Sequence, residues 1–368
     1  MATYKSIRYI VPVEAVEHTD SINALSDVDT NTTAPTDGQI LKWNNTNSKW
    51  YPGDVEEAGS SPTQKAIFGF GYTGNDSNDS NVTNLVSSLG VVATDTAGVG
   101  TARGFLAAAG YGGDKAIFGF GNILNVSNTN VTNLVSNAGV VSTDQTGVGS
   151  ARSGLAASGY GGDKAIFGFG YNLSASNHTN VTNLVSNSGV VSSDQTGVGT
   201  ARYSLAAAGF GSTGQALFGF GYDSNGTTNV TNVTNLVSNT GVVASDTAGV
   251  GTARYILAAA GYGGDKAIFG FGRGATFDYT NITNLVSNTG IVSSDTTNSG
   301  TARTNLAAAG YGGDKALFGF GADSAGYYTG ENSNVTNLVS NTGVMASDTT
   351  GVGTGRDNLA AAGYSSTA

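Results

Sequence analysis

The recurrent pair with the most chemical potential in this sequence is an Asp eight positions before an Arg. It occurs six times: Asp95/Arg103, Asp144/Arg152, Asp194/Arg202, Asp246/Arg254, Asp295/Arg303 and Asp348/Arg356. Six guanidinium groups gathered at one end of a fold could bind a carboxylated or sulfated glycan, because the planar fork matches an oxyanion in bidentate geometry. The same residues can instead tie neighbouring segments together through carboxylates and carbonyls. Strict repetition favours that structural role, since function concentrates where loops differ.

Other chemistry is thinly supplied. Cysteine is absent, which removes disulfides, thiolate metal sites and cysteine nucleophiles. His18 and His178 are the only histidines, so a histidine metal cluster or a repeated histidine base is excluded. Asp76 and Asp79 form a carboxylate pair in a loop, yet nothing in the pattern sets the separation that glycoside hydrolysis needs. The expectation is a non-enzymatic chain with no catalytic residue, metal or cofactor.

Charge narrows the partners. The net charge is −10 and no basic tract exists, so nucleic acid is not expected as a ligand. No apolar run approaches the ~18 residues of a membrane span, and MATYKSIRYIVPVEAVEH has neither a long apolar core nor a small-residue cleavage site. Neither membrane insertion nor a signal peptide is expected.

The elements that must position these residues repeat six times. KAIFGFG or a near copy starts at Lys65, Lys115, Lys164, Gln215, Lys266 and Lys315. A period near 50, with 56 Gly against 4 Pro, points to short strands and tight turns organised as propeller blades. Each period reads as four strands: a, LAAAGYG (Leu106–Gly112); b, KAIFGFG; c, NVTNLVS (Asn81–Ser87); and d, GVVATD (Gly90–Asp95). The expected fold is all-β, a six-bladed β-propeller of four-stranded blades. The first copy begins at strand b and the last ends on a strand a, Leu359–Tyr364, so the C-terminal strand should complete the first blade and close the ring. Strand alternation places Ala and both Phe of KAIFGFG on one face, with Lys, Ile and Gly on the other. Two Phe in each copy account for twelve of the fifteen, and these aromatics read as core.

Variation is confined to one rim. The a–b turns repeat YGGDK, whereas the b–c loops read YTGNDSNDSN, NILNVSNTN, YNLSASNHTN, YDSNGTTNVTN, RGATFDYTN and ADSAGYYTGENSN. The two residues after each Arg vary too. Tyr mixed with Asn, Ser, Gly and Asp is the composition of adaptable recognition loops. Candidate receptor-binding residues are therefore Tyr72, Asp76, Asp79, Tyr171, His178, Tyr222, Asp223, Arg273, Asp278, Tyr279, Asp323, Tyr327 and Tyr328 from the loops, with Tyr203 and Tyr255 after the Arg. Their rings could stack on sugars while amides and carboxylates bond hydroxyls.

Arg-x-x-Leu, small residues, a Gly-rich turn and an apolar strand ending in glycines together resemble the kelch repeat, six times over residues 63–368. Gly-Phe-Gly replaces the kelch Gly-Gly, and VTNLVSNTG stands where Tyr-Asp and Trp usually follow. That resemblance implies a strand a nearest the axis. Copper-radical chemistry, known on related propellers, is not implied, because its cysteine cross-link cannot form.

Residues 1–54 lie outside the repeat. YKSIRYIVPV (Tyr4–Val13) alternates as a strand, and QILKW with SKWYP around NNTN reads as a hairpin carrying Trp43 and Trp50. The LSDVD…PTDGQ-LKW…SKW-PG pattern resembles segments of bacteriophage tail-fibre and other virion structural proteins. The resemblance implies an N-terminal attachment module (1–54), a linker (55–64) and an outward-displayed propeller (65–368). It further implies a virion location, other virion proteins as partners of residues 1–54, a host-surface glycan or protein as the distal partner, and a homotrimer as one assembly.

Overall fold

The computed structural model describes residues 28, 39–44, 48–54, 64–74, 78–223, 229–323 and 332–365. The chain divides into two compact units, Met1–Ser60 and Ser61–Ala368. The described residues are all-β, built from small antiparallel sheets of which none closes on itself, and they contain no helix that could cross a membrane.

In the first unit, Gln39–Asn44 pairs antiparallel with Lys49–Asp54. Trp43 lies opposite Trp50, their rings 5.4 Å apart in an edge-to-face contact. Trp43 is 43% exposed, so the hairpin does not bury both indoles. Val28 is buried and bridges to Trp50. The Tyr4–Val13 segment lies outside the described residues.

In the second unit every repeat forms an a–b–c sheet. Repeat 2 is typical, with Ala107–Tyr111, Lys115–Gly119 and Thr132–Val135 in that order. The first repeat takes its strand a from the C-terminus: Ala360–Ser365 pairs with Gln64–Gly69, residue opposite residue from Ala360↔Gly69 to Ser365↔Gln64. Gln64, expected in the linker, is thus the first residue of strand b.

Strand d is weaker than its sequence implies. It joins strand c through isolated bridges such as Val86↔Val92 and Thr83↔Thr96, and only repeat 5 adds a fourth strand, Thr296–Thr297. A side chain is inserted into the ladder in all six repeats, the fifth included. Asn84 Nδ2 donates to Ala93 O at 3.1 Å and to Asp95 Oδ1 at 2.8 Å. An amide thereby takes a carbonyl that a regular backbone pair would use.

The expectation that both Phe of strand b share a face is corrected. The strand ends at the first Gly of Gly-Phe-Gly, and the second Phe adopts φ between 62° and 65° in all six copies. That turn swings Phe70 to the Ile67 face, while Phe68 packs on the Ala66 face. Left-handed backbone costs a bulky residue about 1–2 kcal/mol. It is offset here by Phe70 N→Val82 O at 3.0 Å and by complete burial of the ring. The second Phe of each repeat then meets the first Phe of the next: Phe70 with Phe118 at 5.1 Å, and so on round to Phe320 with Phe68 at 5.0 Å. The first Phe also covers a glycine of the preceding repeat; a Cβ on Gly119 would sit 2.8 Å from the Phe167 ring. Flat strand, hollow and ring fit together because the glycines leave room.

Neighbour relations among the six repeats are cyclic. The most regular is a circle of backbone hydrogen bonds just before strand a. Phe105 N donates to Asn358 O (2.9 Å), Gly154 to Phe105 (2.9 Å), Ser204 to Gly154 (2.6 Å), Ile256 to Ser204 (2.8 Å), Asn305 to Ile256 (3.0 Å) and Asn358 to Asn305 (2.9 Å). All six donors have φ between 49° and 60°.

Candidate functional site: the variable rim

The first residues of the b–c loops and the segments after each Arg lie side by side. The residue after each Gly-Phe-Gly pairs with the residue after an Arg. The pairs are Asn122 with Gly104, Tyr171 with Ser153, Tyr222 with Tyr203, Arg273 with Tyr255, Ala322 with Thr304, and Tyr72 with Asp357. Backbone geometry is the same at the six places and the side chains differ at every one. Two stretches read separately as variable in the sequence are one surface in the fold.

Three consecutive repeats carry the aromatic part of that surface. Tyr171, Tyr203, Tyr222 and Tyr255 follow one another at 5.8, 5.5 and 5.5 Å between ring centroids. His178 stacks on Tyr203 at 5.0 Å with 20° between the planes, and lies 5.6 Å from Tyr171 and 6.1 Å from Tyr222. All five rings are partly exposed. Burial lowers the His178 pKa, and the Asp223 carboxylate raises it by less, so the ring is neutral at neutral pH. Burial likewise raises the Tyr203 hydroxyl.

Beyond Tyr255 the surface continues through Arg273. Its guanidinium lies over Phe277 (4.8 Å) and Tyr279 (5.5 Å), and its Nε donates to Phe277 O at 2.8 Å. Phe277, 60% exposed, was not among the expected residues. It is the one Phe in any b–c loop, and that could have flagged it. Asp278 is exposed and accepts from Thr276 Oγ1 at 2.6 Å.

Other candidates fall elsewhere. Tyr72 is 1% exposed and is corrected from contact residue to filler. Gly104 beside it has no side chain, so the Tyr72 ring drops into that space (a Cβ there would sit 2.6 Å from it) and its hydroxyl donates to Asn122 Oδ1 at 3.0 Å. Asp79 accepts from Leu124 N at 3.0 Å through Oδ2; burial raises its pKa more than this bond lowers it. Asp323 lies opposite Arg303 in a two-stranded pairing beside the small Thr304/Ala322 pair. Asp76, Tyr327 and Tyr328 lie outside the described residues.

The six Arg are structural. Arg103, Arg152, Arg202, Arg254, Arg303 and Arg356 are each 0% exposed, out of reach of any ligand. Arg103 donates to Phe120 O (2.7 Å), Thr101 O (2.8 Å) and Asn133 Oδ1 (2.8 Å), with its guanidinium 4.4 Å from the Phe70 ring. It therefore joins two repeats. The Asp facing an Arg is not the one eight residues before it but the one in the following repeat: Arg152 faces Asp194 (4.0 Å), Arg202 faces Asp246 (3.9 Å) and Arg254 faces Asp295 (3.6 Å). Arg303 faces Asp348 (3.5 Å), and the last, Arg356, faces Asp95 (3.6 Å). Burial draws the guanidinium of Arg103 down to about 10, with Asp144 opposing, so it stays charged at neutral pH. Asp144 in turn accepts from Thr101 Oγ1 and Asn133 Nδ2.

A cavity lies away from this rim, at the other end of the a strands. It measures about 400 Å³ and is lined by strand a glycines such as Gly159 and Gly261, with Lys164, Lys266 and Lys315 among its other residues. Each of those lysines is held by the preceding Asp, at 2.7, 2.9 and 2.8 Å, so their positive charge is already matched. Among the described residues no His, Cys, Asp and Glu cluster could hold a metal ion. No known family model matches this chain, and no curated protein matches it.

Proposed function

We propose that residues 65–368 form a six-bladed kelch-like β-propeller, and that the chain is a bacteriophage virion fibre protein, of tail or head, whose variable rim binds a glycan receptor on the host surface. The propeller reading draws support from the cyclic order of the repeats and from the C-terminal strand that pairs into the first sheet. Receptor binding rests chiefly on one observation: six geometrically equivalent residue pairs differ in side chain on an otherwise repeated frame, and three consecutive ones present partly exposed Tyr, His and Arg. Variable side chains on a rigid frame are how recognition surfaces are built.

The ends of the repeat region support the same orientation. Gln64 and Ser365 pair at the a–b turn end of the first sheet, away from the varied turns. The fibre-like sequence pattern of residues 21–54 supports attachment through the N-terminal segment.

Adsorption of particles to host cells tests the reading. Replacing all the b–c loops with that of repeat 2 should abolish adsorption while leaving particles assembled. Unchanged adsorption would favour a decoration protein that binds no receptor.

A further inference from the structure

We infer that the aromatic sector takes an extended, linear, neutral oligosaccharide lying along the rim across repeats 3 to 5, rather than a compact ligand on the central axis. This rests on the receptor-binding reading above and specifies its ligand.

The centre of this rim offers little room. The circle of six hydrogen bonds ties Phe105 through Asn358, and the shallow depression lined by these residues with Leu106 and its five counterparts measures about 70 Å³. Ligand pockets run to roughly 300 Å³ or more, so a sugar cannot be held there. The aromatic surface lies off this axis and runs around the rim. Its rings step from Tyr171 to Tyr203, Tyr222 and Tyr255 at near-constant spacing, each tilted 48–65° to the next. Such a row offers successive edges and part-faces to successive sugar rings, whereas a single-sugar site needs aromatics converging on one point.

Polar groups along the row suit hydroxyls. Tyr222 Oη accepts from Asn229 Nδ2 at 3.0 Å, which leaves its own proton to donate. The charges are few and of both signs. Asp223 stands beside His178, and Arg273 is stacked on Phe277 and Tyr279 with Nε bonded to Phe277 O. No cluster of cations selects an acidic sugar.

The test uses the full chain and an array of linear neutral glycans from single sugars to octasaccharides, followed by calorimetry on the length series of the best binder. Affinity should climb over the first few residues and then level off. Tyr203→Ala should weaken the longer ligands by roughly tenfold or more, as for a central aromatic contact. Tyr203→Phe should keep most of the affinity and guards against misfolding as the explanation. Val140→Ala, at an exposed c–d turn outside the rim pairs, should leave binding unchanged. Full affinity for a single sugar overturns the inference, and so does binding to no array glycan. If rim variants still lose cell adsorption in those cases, the receptor reading survives without it; if adsorption is also unaffected, both fall.

Discussion

Arg356 Nη1 lies 3.6 Å from Asp95 Oδ1, at the far end of the repeat region, and not beside Asp348 eight residues before it. The same guanidinium donates to Asn84 Oδ1 at 2.5 Å and to Phe70 O at 3.1 Å, bonds across 272 and 286 residues. Arg202 makes the corresponding bonds to Asn235 and Phe220 one repeat onward. Last and first repeats are therefore joined as the third and fourth are.

Equal joints should cost equally to break. Removing one member of a buried charged network leaves its partners unpaired, at about 3–5 kcal/mol. Arg356→Met and Arg202→Met should each lose about that much in urea unfolding, within roughly 1 kcal/mol of one another, since the frame differs little between the sites. A small loss at Arg356 alone would mean that the closure contributes nothing to stability.

Two glycines differ in the room they leave for a Cβ. A Cβ on Gly168 would sit 2.8 Å from the Phe218 ring, whereas one on Gly274 meets nothing within 4 Å and the residue has no positive φ. Gly168→Ala should destabilise by about 1–3 kcal/mol through overpacking. Gly274→Ala should stay within about 0.5 kcal/mol. Thermal melts of the two variants side by side decide it.

Acid should unfold the repeats through the six repeated aspartates. Burial raises the Asp144 carboxyl, but hydrogen bonds from Thr101 and Asn133 and the charge of Arg103 outweigh it, and the net pKa is below the usual carboxylate value. Asp95, Asp194, Asp246, Asp295 and Asp348 follow the same balance. A carboxylate depressed in the folded state adds stability that is fully present above its unfolded pKa of about 3.9 and disappears as pH falls through the folded value. Melting temperature should thus hold down to about that pH and drop steeply below it. Asp144→Asn should be destabilised at neutral pH and show a shallower acid drop; an unaltered slope would contradict the assignment.

His178 offers a spectroscopic check on the aromatic sector. With burial as the main cause of its lowered pKa, its imidazole resonances should titrate below the ordinary value of about 6.5. Because the neutral form is favoured in the folded state, local stability should decrease as pH falls below that ordinary value. Tyr203→Ala uncovers the ring and should bring the titration back up. A midpoint that ignores the Tyr203 substitution would show that the stacked pair does not form in solution.

Much was legible from spacing alone. The period, the strands a, b and c, the hairpin around Trp43 and Trp50, and the segregation of varied from repeated turns follow from local patterns, because turn chemistry and strand alternation act over a few residues. Phe70 and its equivalents were misread for the same reason. Alternation assumes extended backbone, and the φ near 65° at each second Phe is stabilised by a neighbouring repeat that local pattern does not reveal. Tyr72 illustrates the limit within the candidate site: its type and loop match Tyr171, yet the glycine at position 104 lets it sink.

By itself, then, the sequence determined that six similar β units exist, where their a, b and c strands lie and which turns vary. These depend on residue type, period and turn chemistry within each copy. Tertiary structure alone decided which Asp meets which Arg, that two varied stretches form one paired surface, and that the Tyr rings gather on three consecutive repeats. Each of those depends on the angle and distance at which one repeat packs on the next, and packing of that kind is set by Phe rings against glycine hollows across the interface.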